Sequence, residues 1–175
     1  MTPNPEQALL SEPLNSQVVA AHKTALIIVL TFAMSIVIYM GVGLAKLNLK
    51  GGSVQAQLPF AFYGGAAVLA IGSILVRRAL LHRTKLEVVA VTRGLDGLIK
   101  HLLNATILAA ALAEVIGVLA LLVAFFGGEP NDVIRLSVVG LAVLVWNYPR
   151  RSAWERAVYY FAATSENTSA GKLGL

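Results

Sequence analysis

Residues 103–126 read LNATILAAALAEVIGVLALLVAFF, and Asn104, Thr106 and Glu114 are the only polar side chains among these twenty-four. A helix of that length rises about 36 Å, enough to cross a hydrocarbon core of about 30 Å with some tilt. In lipid the backbone must satisfy its own hydrogen bonds, so a helix is the form this stretch has to take. Glu114 lies eleven residues from one end and twelve from the other, near the midplane. A carboxylate at that depth is costly, and it marks either a functional site or a polar contact inside a bundle.

Three further apolar stretches accompany it: 25–45, 58–76 and about 132–148. Only 13% of the 175 residues are charged and 57% are hydrophobic, whereas a soluble domain carries about 25% charged residues. The predicted fold is all-α: a polytopic membrane protein of four transmembrane helices plus a C-terminal interfacial amphipathic helix. Its parts are a polar N-terminal tail over 1–24 with a short helix at 15–22, a transmembrane domain over 25–148, the interfacial helix over 149–163 and a polar, disordered tail over 164–175. The near absence of a charged leading region argues against a signal peptide.

The connections carry the charge. Lys46 to Gln57 holds a turn signal at Gly51, Gly52 and Ser53. Residues 77–101 are the most basic connection, and their mixed apolar pattern predicts a helical lead-in to the third span, bent at Gly94 and Gly97. Residues 127–131, Gly-Gly-Glu-Pro-Asn, predict a tight turn. Arg135, three residues after Asp132, is expected to pair with it or to snorkel outward. Trp146, Tyr148, Arg150, Arg151 and Trp154 read as interfacial anchors. Ser152 and Glu155 have capping-box spacing, and Trp154, Ala157, Val158 and Phe161 recur at helical intervals, which predicts a helix lying flat on the membrane. Of the 14 Lys and Arg, eleven fall in the N-terminal tail, the 77–101 connection and the chain from residue 149 on, two in the other connections, and the last is Arg135. That division places both termini in the cytoplasm, in a multi-pass protein of the inner membrane. The basic loops read as contacts with the lipid bilayer and its anionic headgroups, not with nucleic acid.

On the third span Ala105, Ala109, Ala113 and Gly117 form a row of small residues where another helix can approach. Gly64, Gly65 and Gly72 offer similar surfaces on the second span. Glu114 sits about 60° around the helix from Gly117, so it points into a helix seam. By depth, Ser35 is its nearest polar candidate, with Ser137 and Ser73 further off. The pair Glu114 and Ser35 is therefore the candidate proton- or cation-binding site; the plainer reading is one hydrogen bond across the bundle. Cysteine is absent, and His22, His82 and His101 lack metal-ligand spacing, so no metal or cofactor is expected. No phosphate-binding loop, HExxH or GxSxG occurs, and no enzyme is expected.

Leu112-Ala113-Glu114-Val115-Ile116-Gly117, continuing into Leu121-Leu122-Val123-Ala124-Phe125, resembles the carboxylate-bearing helix of the rotary ATP synthase c subunit. The resemblance covers about one span and implies that Glu114 matches the ion-carrying carboxylate. As a whole the chain is similar to small bacterial four-span membrane proteins with a c-like third helix, which implies a fold and no activity. The expected function is a non-catalytic integral protein, an accessory or assembly subunit beside other membrane-protein subunits. The alternative is a c-subunit-like protein that binds protons or cations at Glu114.

Overall fold

A computed structural model describes residues 5–50 and 58–172, with side chains over 14–48 and 60–163. Among the described residues every regular element is a helix: α1 Pro5–Lys50, α2 Leu58–Leu80, α3 Arg83–Phe125, α4 Pro130–Trp146 and α5 Arg151–Lys172. Four stretches are long and apolar enough to cross a membrane: Leu14–Asn48, Phe60–Leu80, Arg83–Phe125 and Pro130–Ala163. The expected all-helical, four-span architecture is therefore present.

α1 differs from the expected tail, short helix and span, because it is one helix of 46 residues. Val18 and Ala25 are both buried. A packed face of that kind sustains a helix through a polar sequence that would not hold one alone. The Gly51-Gly52-Ser53 turn lies outside the described residues. α5 likewise continues to Lys172, where the sequence predicts a disordered tail from residue 164.

The residues fall into two compact units. One comprises residues 27–79 and 106–148, and α3 is its centre. Beside α1, a methyl group added to Gly117 would meet Ile36 Cγ1 at 2.8 Å. Beside α4, one added to Gly140 would lie 3.2 Å from the Ala113 carbonyl oxygen. Beside α2, Ser73 Oγ donates to the Ala109 carbonyl at 3.1 Å. Of the small-residue row, Ala109, Ala113 and Gly117 lie in this unit and are buried, as small-residue packing requires; Ala105, also buried, falls in the other unit. α3 ends in a Schellman turn: Gly128 N–H donates to Val123 O at 2.8 Å and Gly127 N–H to Ala124 O at 3.3 Å, with Gly127 at φ 83. Pro130 then opens α4, where a missing N–H costs nothing. The outward faces stay apolar, with Phe60, Val68 and Val145 each more than 70% exposed.

The other unit comprises residues 1–26, 80–105 and 149–175. Its core joins Val18 of α1, Leu98 and Leu102 of α3, and Trp154, Val158 and Phe161 of α5. α5 thus has the expected apolar stripe, and Trp154, Val158 and Phe161 of that stripe pack against α1 and α3. Its start differs from expectation. The Arg150 carbonyl accepts the N–H groups of Ala153 and Trp154 at 3.0 and 3.3 Å, so Ser152 lies inside the first turn and caps nothing. Glu155 is taken by Arg151 at 2.6 Å, an i,i+4 ion pair that outcompetes the capping box. α3 breaks at Gly94, φ 67 and ψ −173, a conformation essentially confined to glycine. The expected bend is there. Gly97 is needed for another reason, since a methyl group on it would run into Arg93 Cβ.

Candidate functional site

Glu114 and Tyr39 are both half-buried, and the Tyr39 hydroxyl donates to Glu114 Oε1 at 3.2 Å. The expected partner, Ser35, is occupied elsewhere: its hydroxyl donates to the Thr31 carbonyl at 3.1 Å, within its own helix. Ser35 and Tyr39 are four residues apart on one face of α1, and the longer phenol reaches across the seam where the short hydroxyl does not. Ser137, the second candidate by depth, is fully buried with no hydrogen-bond partner among the described residues.

A second tyrosine–carboxylate pair joins α2 to α4. Tyr63 O–H donates to Asp132 Oδ1 at 2.7 Å. The expected Asp132–Arg135 ion pair is not formed, and Arg135 is exposed. Asp132 is 9% exposed, so the phenol, not the guanidinium, satisfies its carboxylate. Lys46 Nζ lies 3.3 Å from the centre of the Phe125 ring, a cation–π contact.

A third polar group closes the C-terminal end of α4. Arg77 Nη1 donates to Trp146 O at 2.9 Å and to Asn147 Oδ1 at 3.4 Å, and Nη2 donates to Tyr148 O at 3.4 Å. The buried Asn147 donates from Nδ2 to Ser73 Oγ at 2.8 Å and to Val143 O at 2.9 Å. A guanidinium at a helix C-terminus meets both the orphan carbonyls and the negative end of the dipole.

The other expected positions divide. A methyl group added to Gly65 would lie 3.5 Å from Leu119 Cδ1, whereas one added to Gly64 or Gly72 would have open space beside it among the described residues. Trp146, Tyr148, Arg150 and Arg151 are exposed. Trp154 is only 4% exposed and stacks edge-on against His22 at 5.8 Å, within the unit's core. His22 Nε2 bonds to Pro149 O at 2.9 Å and His101 Nε2 to Leu80 O at 3.0 Å. No group of three metal-ligating side chains occurs among the described residues.

Sequence reasoning missed Tyr39, Tyr63 and Asn147 as polar partners. Their signal was present but weak: each is a long polar side chain at the edge of, or inside, an apolar run. Chemically the arrangement offers a mid-span carboxyl with one phenolic donor, and no nucleophile beside a base. No family model, curated protein or solved structure matches this chain.

Proposed function

We propose that this chain is a non-catalytic integral protein of the inner membrane, an accessory or assembly subunit of a larger membrane complex. The observation that carries the reading is on α2. A methyl group added to Gly64 or Gly72 would have nothing within 4 Å among the described residues, while Phe60, Val68, Ile71 and Leu75 stand more than half exposed on the same helix. Small residues left open in an apolar surface are where the helix of another membrane subunit can approach closely. The inward polar groups on α2, Tyr63 and Ser73, are already engaged within the chain. Purification in mild detergent tests this reading. A stoichiometric partner lost on Gly64→Leu is the expected result; a monodisperse particle with no partner counts against it.

Both termini face the cytoplasm in this reading, supported by the division of loop cations. The chain has no cysteine, so single cysteines at Ser53, Thr84 and Ser169 report the side directly. Labelling of Thr84→Cys by an impermeant reagent in intact cells, with Ser53→Cys protected, would reverse the assignment.

The Tyr39–Glu114 contact favours a second reading, a proton- or cation-binding carboxyl. Glu114→Gln would then abolish function in a folded protein, because an amide cannot exchange a proton. A homomeric ring of many copies would support this reading over the first.

A further inference from the structure

The break at Gly94 is followed by a cleft of about 270 Å³ lined by Arg93, Asp96, Gly97, Lys100, His101 and Asn104. Every one of these lies in the unit formed by residues 1–26, 80–105 and 149–175. Arg93 is exposed and has no partner among the described residues. Its aliphatic stem lies over Gly97, with Cγ and Cδ 3.5 and 3.6 Å from where a Gly97 methyl would be. Any larger residue there would displace it. Asn104, also exposed and without a partner among the described residues, adds an amide donor.

Asp96 is the only carboxylate on the cleft, and Lys100 holds it at 2.7 Å. Both side chains of that pair are about two-thirds exposed. Exposed pairs of this kind add little net attraction, so an anion can draw Lys100 away at little cost. His101 is fixed in place by its bond to Leu80 O. The lining is therefore a planar guanidinium, a releasable ammonium and an amide, the donor set that suits phosphate oxygens.

We infer that this cleft binds the phosphate headgroup of an anionic phospholipid. The lipid source, as against free phosphate, follows from the place of the cleft in the chain. The last charged residue before the span is Lys100, the polar residues end at Asn104 and Thr106, and from Ile107 to Phe126 the sequence is apolar but for Glu114. A headgroup site belongs where a helix passes from charged to apolar residues. The inference rests only on the membrane reading of the chain and is independent of the accessory role.

The test uses the purified full chain, with retained lipid counted by native mass spectrometry. The probes are phosphatidylglycerol, phosphatidylcholine and free glycerol phosphate, at equal mole fraction or concentration. Phosphatidylglycerol should be retained about tenfold better than phosphatidylcholine, whose choline cation offsets the charge of the same phosphate. Arg93→Gln with Asn104→Ala should remove that preference. Asp96→Asn should raise retention, while Glu155→Gln, which breaks the comparable Arg151 pair on α5, should leave it unchanged. Equal retention of the two lipids by the native chain overturns the inference whatever the variants do. So does an equal shift from Arg150→Gln, which would mean diffuse attraction, or saturation by glycerol phosphate alone, which would mean a soluble ligand.

Discussion

Tyr39 of α1 donates its phenolic hydrogen to Glu114 of α3 at 3.2 Å. The contact joins two helices through the carboxylate that sits nearest the middle of the longest apolar run. A phenol both positions a carboxylate and shields it from other donors, so each group limits what the other can do.

Tyr39→Phe should lower stability in detergent by about 0.6 kcal/mol, the average for interhelical hydrogen bonds in membrane bundles. Infrared difference spectra should show the Glu114 carboxyl bands shifting in Tyr39→Phe and vanishing in Glu114→Gln. A band unmoved by Tyr39→Phe would mean that the contact is not maintained.

Tyr63→Phe should cost more, about 1–3 kcal/mol, because Asp132 is nearly buried and loses its donor. Asp132→Asn should recover part of that loss in the Tyr63→Phe background, since the group left behind is neutral. Thermal unfolding of the two single variants and the double variant gives the coupling directly. Additive losses would show that the two side chains act independently.

Gly117→Ala should destabilise the chain by about 1–3 kcal/mol, through overpacking against the fully buried Ile36. Gly64→Ala should be neutral or stabilise by up to about 1 kcal/mol, since open space surrounds it and alanine is the better helix former. Denaturation of both variants in the same detergent checks the contrast. Equal losses would place a neighbour beside Gly64.

Gly94→Ala should cost about 1–3 kcal/mol, or straighten the helix across the break, because φ 67 with ψ −173 is open only to glycine. Spin labels at Thr84 and Asn104 on either side of it give the readout. Their separation should lengthen if the helix straightens, and an unchanged distance with unchanged stability would refute the strain argument.

Spans and turns were legible because apolar length and turn chemistry act locally: α2, the apolar part of α3, Gly94, and the turn at Gly127 to Pro130 follow from residues close in sequence. Partner choice was not, since it depends on how each helix is rotated. Ser35 and Tyr39 occupy one face of α1, and only the reach of the side chain decides between them. Gly64 and Gly117 look alike as small residues, yet one meets open space and the other Ile36. An amphipathic stripe such as that of Trp154 and Phe161 fits a membrane surface or a protein core equally well. Here Val18, Leu98 and Leu102 supply the core. The capping-box spacing at Ser152 failed for a similar reason, because Arg151 stood one turn from Glu155 and carried a full charge.

The contacts from Arg77 through Asn147 and Ser73 to the Ala109 carbonyl have a direction. Arg77 can only donate and a carbonyl can only accept, so the polarity of both links between them is set from the two ends. Asn147 must present oxygen to the guanidinium and nitrogen to Ser73, which forbids the flipped amide. Asn147→Asp alters almost nothing in shape, yet it removes the one donor that keeps the sequence running. Ser73 would have to turn its hydrogen toward the new carboxylate, leaving the Ala109 carbonyl with its helical bond alone. A substitution that nearly preserves volume and adds attraction to Arg77 should therefore loosen the α2–α3 contact two links away, and rapid hydrogen exchange along α2 near Ser73 would be its mark.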